Sequence, residues 1–195
     1  MKSYKVLFIE FEDCIKNDKE LLNNYNTRIK KHNNMVKNNL FPDSGFDILL
    51  PKLEADKYIF YKNETKLIPF GIKCSVYEFF GKLSDNLPNY EIIQSFYVKG
   101  INSNVKPMPF TIHPRSSIWK SKFRLANCTG IIDMGYRGTI FGSLHNIDNN
   151  ENFLKYGNRY LQICMPDLLP FYVKVVNKVE NDSNRGKGGI GSTGC

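Results

Sequence analysis

The pattern of short β-prone runs predicts an all-β fold, a distorted barrel or jelly roll, and the composition is sufficient for a buried core. After residue 40, short β-prone runs alternate with Gly, Pro, Asn and Asp breakers, and many short strands with turn signals are typical of such folds. Hydrophobic residues also make up 42% of the 195-residue chain, which is enough to bury the core of one domain. The β-prone runs are FDILLP, KYIFY, KLIPFGIKCSVYEFF, EIIQSFYVKG, GTIFGSLHN and RYLQICMPDLLPFYVKVV.

Residues 1–40 predict an N-terminal extension of one strand and one helix. The run YKVLFIE at 4–10 is β-prone, and residues 18–37 form an amphipathic pattern with Asp18 available as the N-cap. The opposite face is rich in Asn and Lys, so packing on the domain is favoured over partner binding, which remains an alternative. The inward positions are Leu21, Leu22, Tyr25, Ile29, His32 and Met35.

The rest of the chain divides by composition into a barrel and a tail. Residues 41–180 carry the β-prone runs, with a more polar, Pro-containing inserted excursion at about 81–109. Residues 181–195 have too few apolar groups to fold alone. We therefore expect a β-barrel followed by a flexible C-terminal tail.

Composition excludes several classes of protein. No apolar run approaches the ~20 residues of a membrane span, and the start is too acidic for a signal peptide, so we expect a soluble protein of the cytoplasm or nucleus. Five dispersed cysteines predict reduced thiols, and the three histidines lack zinc spacing. The net charge of +8 fits either a solvated basic surface or a polyanionic ligand such as a nucleotide or nucleic acid.

Five short segments hold the polar residues with chemical potential: DSGFD (43–47), PRSS (114–117), GIIDMGYRG (130–138), GNRYLQ (157–162) and RGKGGIGSTG (185–194). In the third segment, Asp133 and Tyr136 fall on the same side of a bend at a strand end. A carboxylate there could activate water, and the tyrosine ring could pack against a sugar. Taken alone, the third segment is better explained as a plain turn in which Asp133 satisfies backbone N–H groups.

The second and fifth segments contain groups that could bind phosphate. Residues 114–117 combine a guanidinium with two hydroxyls, and arginine makes forked, charge-assisted bonds to phosphate oxygens. The glycine-rich tail could let backbone N–H groups approach an anion, or it could be inert. It lacks the G-K-[ST] ending of a P-loop and a preceding strand. The first and fourth segments add Asp47 and Gln162, which could also be turn or strand-end residues.

Taken together and in this order, the five segments resemble the motifs of the trimeric dUTPase family, over about residues 40–195. The resemblance implies a dUTPase-type jelly roll that hydrolyses dUTP to dUMP and pyrophosphate, a dUTP diphosphatase that keeps uracil out of DNA and supplies dUMP for dTMP synthesis. It also implies a homotrimer with shared active sites and no requirement for nucleic acid or a membrane. The extra length at 1–40 and 81–109 suggests an unusual lineage, such as a large virus in a host cell.

The resemblance also implies roles for individual residues. Asp133 would activate the water that attacks the α-phosphorus, and Tyr136 would lie under the deoxyribose. Asp47 would hold waters on a Mg²⁺ ion that bridges the phosphates. The remaining substrate contacts implied are Asn127, Ile132 and Phe141 for uracil, Arg115, Ser116, Ser117 and Gln162 for the phosphates, and Arg185, Gly189, Ile190, Gly191, Ser192 and Thr193 for a covering tail.

One departure and two alternatives accompany the resemblance. Ile190 stands where the family has an aromatic residue, so we expect weaker tail closure, by about 1 kcal/mol. A dCTP deaminase would share the fold but needs a Glu in the strand after the third motif, which reads TIFGSLHN here. A nucleotide-binding regulator or adaptor of the same fold is the other alternative, which the N-terminal helix and the excursion would permit.

Overall fold

The computed structural model describes residues 2–84, 86–90, 104–179 and Gly188. Over these residues the protein is mostly β with a few helices. No helix within them is long and apolar enough to cross a lipid bilayer. In chain order the elements are β1 (Ser3–Phe11), α1 (Asp13–Lys16), α2 (Lys19–Asn38), β2 (Gly45–Ile48), α3 (Ala55–Tyr58), β3 (Ile59–Phe60), β4 (Thr65–Phe80), β5 (Val105–Met108), β6 (Phe110–Pro114), the 3-10 helix η1 (Ile118–Ser121), β7 (Phe123–Leu125), β8 (Gly130–Ile132), β9 (Thr139–Asn146), β10 (Asn152–Phe153), β11 (Leu161–Cys164) and β12 (Tyr172–Val176).

The largest sheet has the order β12-β1-β4-β9-β7, with β5 also pairing with β4. β1 lies inside this sheet, parallel to β12 and antiparallel to β4. Its residues from Lys5 to Phe11 are all buried, as expected for an apolar run with neighbours on both edges. The predicted N-terminal strand is therefore confirmed, and it contributes to the central sheet of the protein.

A second sheet has the order β2-β11-β6-β8. Its register places Phe46 opposite Ile163 and Ile163 opposite Ile112, and these three side chains are buried in the main core. Because successive side chains of a strand point to opposite faces, the neighbouring residues Asp47, Gln162 and His113 form a row on the other face. This polar row is half-buried and carries the site described below.

The described strands form three sheets, of six, four and two strands, and none of the three closes into a barrel. The mostly β character that the sequence predicts is confirmed, whereas a closed barrel is not seen among the described residues. The prediction of a strand at KYIFY was partly wrong, since residues Ala55–Tyr58 are helical and only Ile59–Phe60 extend as a strand. Within the predicted excursion, Val105–Met108 pairs with β4, so this part belongs to the large sheet.

Helix α2 confirms the predicted amphipathic helix to within one residue at each end. The Asp18 side chain accepts a hydrogen bond from the backbone N–H of Leu21 at 3.1 Å, as an N-cap should. At the other end, the Asn33 amide donates to the Val173 carbonyl and accepts from the Val173 N–H, both at 2.8 Å. Val173 lies on β12, the edge of the large sheet, so the helix satisfies edge-strand backbone groups that would otherwise be open.

Tyr25 fixes α2 to the strand that carries Asp47. Its ring is fully buried. The Leu49 N–H donates to the Tyr25 hydroxyl at 2.8 Å, and that hydroxyl donates to the Leu49 carbonyl at 3.3 Å. Leu49 directly follows β2, so these two bonds set the position of α2 relative to the polar row.

Replacing Tyr25 with Phe should lower the free energy of unfolding by about 1–3 kcal/mol, because the buried Leu49 N–H would lose its partner. Urea denaturation of the full chain measures the change. Tyr61→Phe is the matched control, because Tyr61 is 60% exposed, and we expect it to alter stability by less than about 0.5 kcal/mol. Equal stability of Tyr25→Phe and the unsubstituted protein would contradict the role given to this hydroxyl.

Candidate functional site: an anion cavity and a hairpin cavity

A cavity of about 760 Å³ lies over the polar row of the four-stranded sheet. We call it the anion cavity. Asp47 and Gln162 are paired across β2 and β11, and His113 follows on β6, so the sheet register alone brings residues 47, 113 and 162 together. Charged and hydroxyl side chains from other segments complete the lining: Arg28, Lys31, Asp43, Ser44, Arg115, Ser116 and Arg159.

Three arginines surround one carboxylate in the anion cavity. Arg115 Nε lies 2.6 Å from Asp47 Oδ1, and Arg28 Nη2 and Arg159 Nη1 lie 2.9 Å and 3.0 Å from Asp47 Oδ2. The Asp47 side chain is only 17% exposed. Four cationic side chains and two carboxylates line the cavity, so positive charge is in excess and an anionic ligand is favoured.

Backbone contacts hold Arg115 and Gln162 in place in the anion cavity. Arg115 follows the end of β6, and its N–H donates to the Tyr160 carbonyl at 2.9 Å. Gln162 Nε2 donates to the Pro114 carbonyl at 3.3 Å. A Cβ at Gly45 would lie 2.3 Å from Gln162 Oε1. The glycine of the first motif therefore leaves the space that the Gln162 side chain occupies.

A second cavity, of about 300 Å³, lies at the turn between β8 and β9. We call it the hairpin cavity after the hairpin that the resemblance implies here, although β8 pairs with β6 and β9 with β4 and β7, so the two strands lie in different sheets. Its lining includes five residues to which the resemblance gave roles in base recognition, sugar contact or catalysis. They are Asn127, Ile132, Asp133, Tyr136 and Phe141. Asp133 is exposed at the cavity, and its carbonyl accepts a hydrogen bond from the Tyr136 N–H at 3.0 Å.

The turn between β8 and β9 is built around the Tyr136 ring. The Tyr136 hydroxyl donates to the Thr139 carbonyl at 2.8 Å. Burial, with a smaller contribution from the Glu12 charge, raises the pKa of Tyr136, so the hydroxyl stays a donor. A Cβ at Gly138 would lie 2.5 Å from the Tyr136 hydroxyl oxygen. The glycine therefore permits the ring position, and the buried Arg137 holds the turn by donating to the Met134 and Tyr136 carbonyls at 2.8 Å and 3.0 Å.

The predicted site residues thus fall into two groups. Asp47, Arg115, Ser116 and Gln162 line the anion cavity, whereas the five hairpin residues line the other. Ser117 lies in a neighbouring cavity of about 420 Å³ that shares Arg115 and Arg159 with the anion cavity. The predicted tail residues, from Arg185 to Thr193, lie outside the described residues.

The sequence reasoning missed three cations, Arg28, Lys31 and Arg159. Arg159 lies inside the fourth motif, next to residues that were considered. Arg28 follows Tyr25 by three positions and precedes His32 by four, so helical spacing places it on the buried face of α2. A charged residue on such a face predicts a carboxylate partner, and this signal was available in the sequence.

The residues of the anion cavity suit a divalent ion held mainly by a ligand and water. No group of three or more His, Cys, Asp or Glu side chains that could hold a metal ion occurs in the described parts of the chain. Mg²⁺ commonly keeps several waters and uses one or two carboxylates together with substrate phosphates. The Asp47 oxygens accept three of about four possible hydrogen bonds, which leaves Oδ1 able to accept one from a metal-bound water.

The sequence matches one protein family and several curated relatives. A dUTPase family profile matches residues 89–194, more than half of the chain. The deoxyuridine 5'-triphosphate nucleotidohydrolase of Escherichia phage T5 is 38% identical over 85 residues, which cover 42% of this chain and 55% of that protein. The protein of that name from Paramecium bursaria Chlorella virus 1 is 36% identical over 83 residues, covering 43% and 57%. The chain thus spans little more than half the length of these curated relatives.

Among solved structures, a dUTPase from Streptococcus mutans superposes with a TM-score of 0.40 at 18% identity, covering 66% of this chain and 78% of that chain.

His32 links the anion cavity to the stability of the fold. Its ring is buried between Phe46 and Phe171, and its Nε2 lies 2.8 Å from the Phe171 carbonyl. Burial lowers the pKa of His32, while the Phe171 carbonyl and the charges of Asp43 and Asp47 oppose that shift. The folded protein therefore keeps this ring neutral to a lower pH than the unfolded chain does.

The free energy of unfolding should fall as the pH is lowered below about 6.5, the usual pKa of histidine, because the unfolded chain then binds a proton that the folded ring still refuses. His32→Gln can keep a donor for the Phe171 carbonyl and should flatten this part of the pH profile. Denaturant titrations between pH 7 and pH 5 measure the slope. An unchanged slope in His32→Gln would contradict the assignment.

Proposed function

Because the chain belongs to the dUTPase family, we propose that it hydrolyses dUTP to dUMP and pyrophosphate. The observation that carries the proposal is the grouping of Asn127, Asp133 and Tyr136 in one small cavity. A ring, a carboxylate and an amide are the groups needed to hold a sugar, activate water and recognise a base. The anion cavity supplies the complementary part, an excess of positive charge for a triphosphate.

The hairpin cavity provides selectivity for base and sugar in this proposal. Uracil lies against Ile132 and Phe141 and bonds to Asn127 and to backbone groups near residues 132 and 141. Cytosine presents the opposite donor and acceptor pattern, so binding it leaves buried groups unpaired, a large penalty. The Tyr136 ring lies under the deoxyribose and leaves no room for the 2'-hydroxyl of a ribose.

The catalytic step is the transfer of the nucleotidyl group, dUMP, to water. Asp133 accepts a proton from a water molecule as that oxygen bonds to the α-phosphorus. The bond between the α-phosphorus and the bridging oxygen breaks, and pyrophosphate leaves with the electron pair. Arg115, Ser116, Ser117 and Gln162 position the phosphates and offset their charge, which is the main requirement of this chemistry.

Mg²⁺ is the expected metal, held by the substrate phosphates and by waters that hydrogen-bond to Asp47. When bound, it neutralises phosphate charge and fixes the conformation of the triphosphate. Arg185 and Gly189–Thr193, which lie outside the described residues, would cover the base and the terminal phosphate and so exclude bulk water from the reaction.

The active unit in this proposal is a homotrimer in which subunits share each site. Two features of the described residues support sharing. The linings of the anion cavity and the hairpin cavity have no residue in common. Ile131 and Met134, beside the catalytic carboxylate, are 75% and 49% exposed, as expected for apolar groups that a neighbouring subunit covers. The hairpin cavity of one subunit would then face the anion cavity of the next, and the tail would come from the third.

Purified protein with Mg²⁺ should release pyrophosphate from dUTP and leave dCTP, dTTP and UTP nearly untouched, since each competitor fails one contact of the hairpin cavity. Pyrophosphate release over this panel measures the selectivity. Asp133→Asn should lower kcat by a factor of at least about 100 while it still binds nucleotide. Absence of dUTP turnover, or full turnover in Asp133→Asn, would overturn the proposal. Release of ammonia from dCTP would instead support a deaminase.

Mixing two inactive variants should restore activity if sites are shared between subunits. Asp133→Asn damages the hairpin cavity and leaves the anion cavity intact, whereas Arg115→Gln damages the anion cavity and leaves the hairpin cavity intact. When the two are unfolded together and refolded in equal amounts, about a quarter of the sites should combine two intact halves, as random assortment in a symmetric ring requires. Each variant refolded alone is the control. Activity of the mixture no higher than that of the controls would indicate that one subunit forms a whole site.

A further inference from the structure

We propose that helix α2 supplies two phosphate-binding residues, Arg28 and Lys31, to the substrate site. Both lie outside residues 89–194, the segment that matches the family profile. The inference rests on the proposed function and deepens it, because it assigns to the N-terminal helix a share in binding the triphosphate. The ligand chemistry is that of a linear polyphosphate, whether free or carried by a nucleotide.

The position of α2 brings both cations to the anion cavity. Tyr25 and His32 anchor the helix to the Leu49 backbone and the Phe171 carbonyl, and Arg28 lies between these two anchors. Its guanidinium reaches Asp47 at 2.9 Å. Lys31 is exposed and lines the same cavity together with Arg115, Ser116 and Gln162.

The ion pair with Asp47 is not sufficient to explain why a third arginine, Arg28, lies in this cluster. Arg115 and Arg159 already bond to this carboxylate, and one carboxylate balances one guanidinium. The third arginine leaves the cluster with a net charge of two, which is costly in a partly buried place unless an anion binds there.

Arg28 also keeps donors for a ligand. A guanidinium has five N–H donors, and within the described residues the hydrogen bond to Asp47 is the one that Arg28 makes. Its side chain is 30% exposed, so further N–H groups can reach a ligand in the cavity. Arginine is well suited to this task, because its planar fork matches phosphate oxygens.

The opposite face of the same helix offers a control. Lys30 is exposed and does not line the anion cavity. A substitution at residue 30 removes the same unit of charge from the same helix. Comparing residues 28 and 31 with residue 30 therefore separates a local contact from the general basicity of the protein.

The test uses the full chain and three measurements. Titration calorimetry measures the binding of inorganic tripolyphosphate and of deoxyuridine, which has no phosphate, and pyrophosphate release gives kcat and KM for dUTP. In the variant that combines Arg28→Gln and Lys31→Gln, we expect tripolyphosphate affinity to fall by a factor of about 10 or more, since each charge-assisted bond is worth that much. KM for dUTP should rise by a similar factor, with deoxyuridine affinity unchanged.

The other variants should differ in their affinity for tripolyphosphate in a defined order. Lys30→Gln should bind tripolyphosphate like the unsubstituted protein, and Arg28→Lys should recover part of the affinity because it keeps the charge and loses the fork. Lys31→Gln tests the exposed residue alone, where folding is not at risk. Unchanged tripolyphosphate affinity in the combined variant, or an equal loss in Lys30→Gln, would overturn the inference.

Two further results keep this inference separate from the proposed function. Equal weakening of deoxyuridine and tripolyphosphate binding would show that the helix acts through the fold, and it would overturn the inference. If the unsubstituted protein releases no pyrophosphate from dUTP, the proposed function fails. The tripolyphosphate titration then still decides whether Arg28 and Lys31 bind phosphate.

Discussion

The carboxylate of Asp47 holds together three guanidinium groups from distant parts of the chain. Arg28 comes from helix α2, Arg115 directly follows β6, and Arg159 comes from the loop before β11. Without this carboxylate the three positive charges would repel one another in a partly buried space. The shape of the anion cavity therefore depends on one side chain, and that side chain depends on the register of the four-stranded sheet.

The same four-stranded sheet has one face in the hydrophobic core and the other face in the anion cavity. Phe46, Ile112 and Ile163 face inward, and one residue further along each strand the side chain faces the anion cavity. A slip of one residue in the pairing of β2 with β11 would exchange the two faces. The buried row thus fixes the register, and the register aligns the polar row. In this way apolar packing, which has no direction of its own, positions polar groups.

The hairpin cavity depends on shorter-range forces. The Tyr136 hydroxyl, the buried Arg137 and the missing Cβ of Gly138 act within six residues of Asp133. Such local geometry follows from residue order, and Asn127, Ile132, Asp133, Tyr136 and Phe141, which the resemblance had grouped, line one cavity. The anion cavity joins residues 28, 47, 115, 159 and 162, and no local rule links them. The family resemblance suggested Asp47, Arg115 and Gln162. It did not suggest Arg28 or Arg159, and the packing of α2 is what brings Arg28 to Asp47.

The sequence by itself determined the local elements, because periodicity and capping act over a few residues. The amphipathic helix with its Asp18 cap, the β1 strand and the long β4 strand were all predictable. Only the tertiary structure decided which strands pair, that β1 lies between β4 and β12, and that the strands form three sheets with no closed barrel among the described residues. It also decided that Arg28 meets Asp47. These outcomes depend on contacts between residues far apart in the chain, and such contacts are selected by the packing of the whole core.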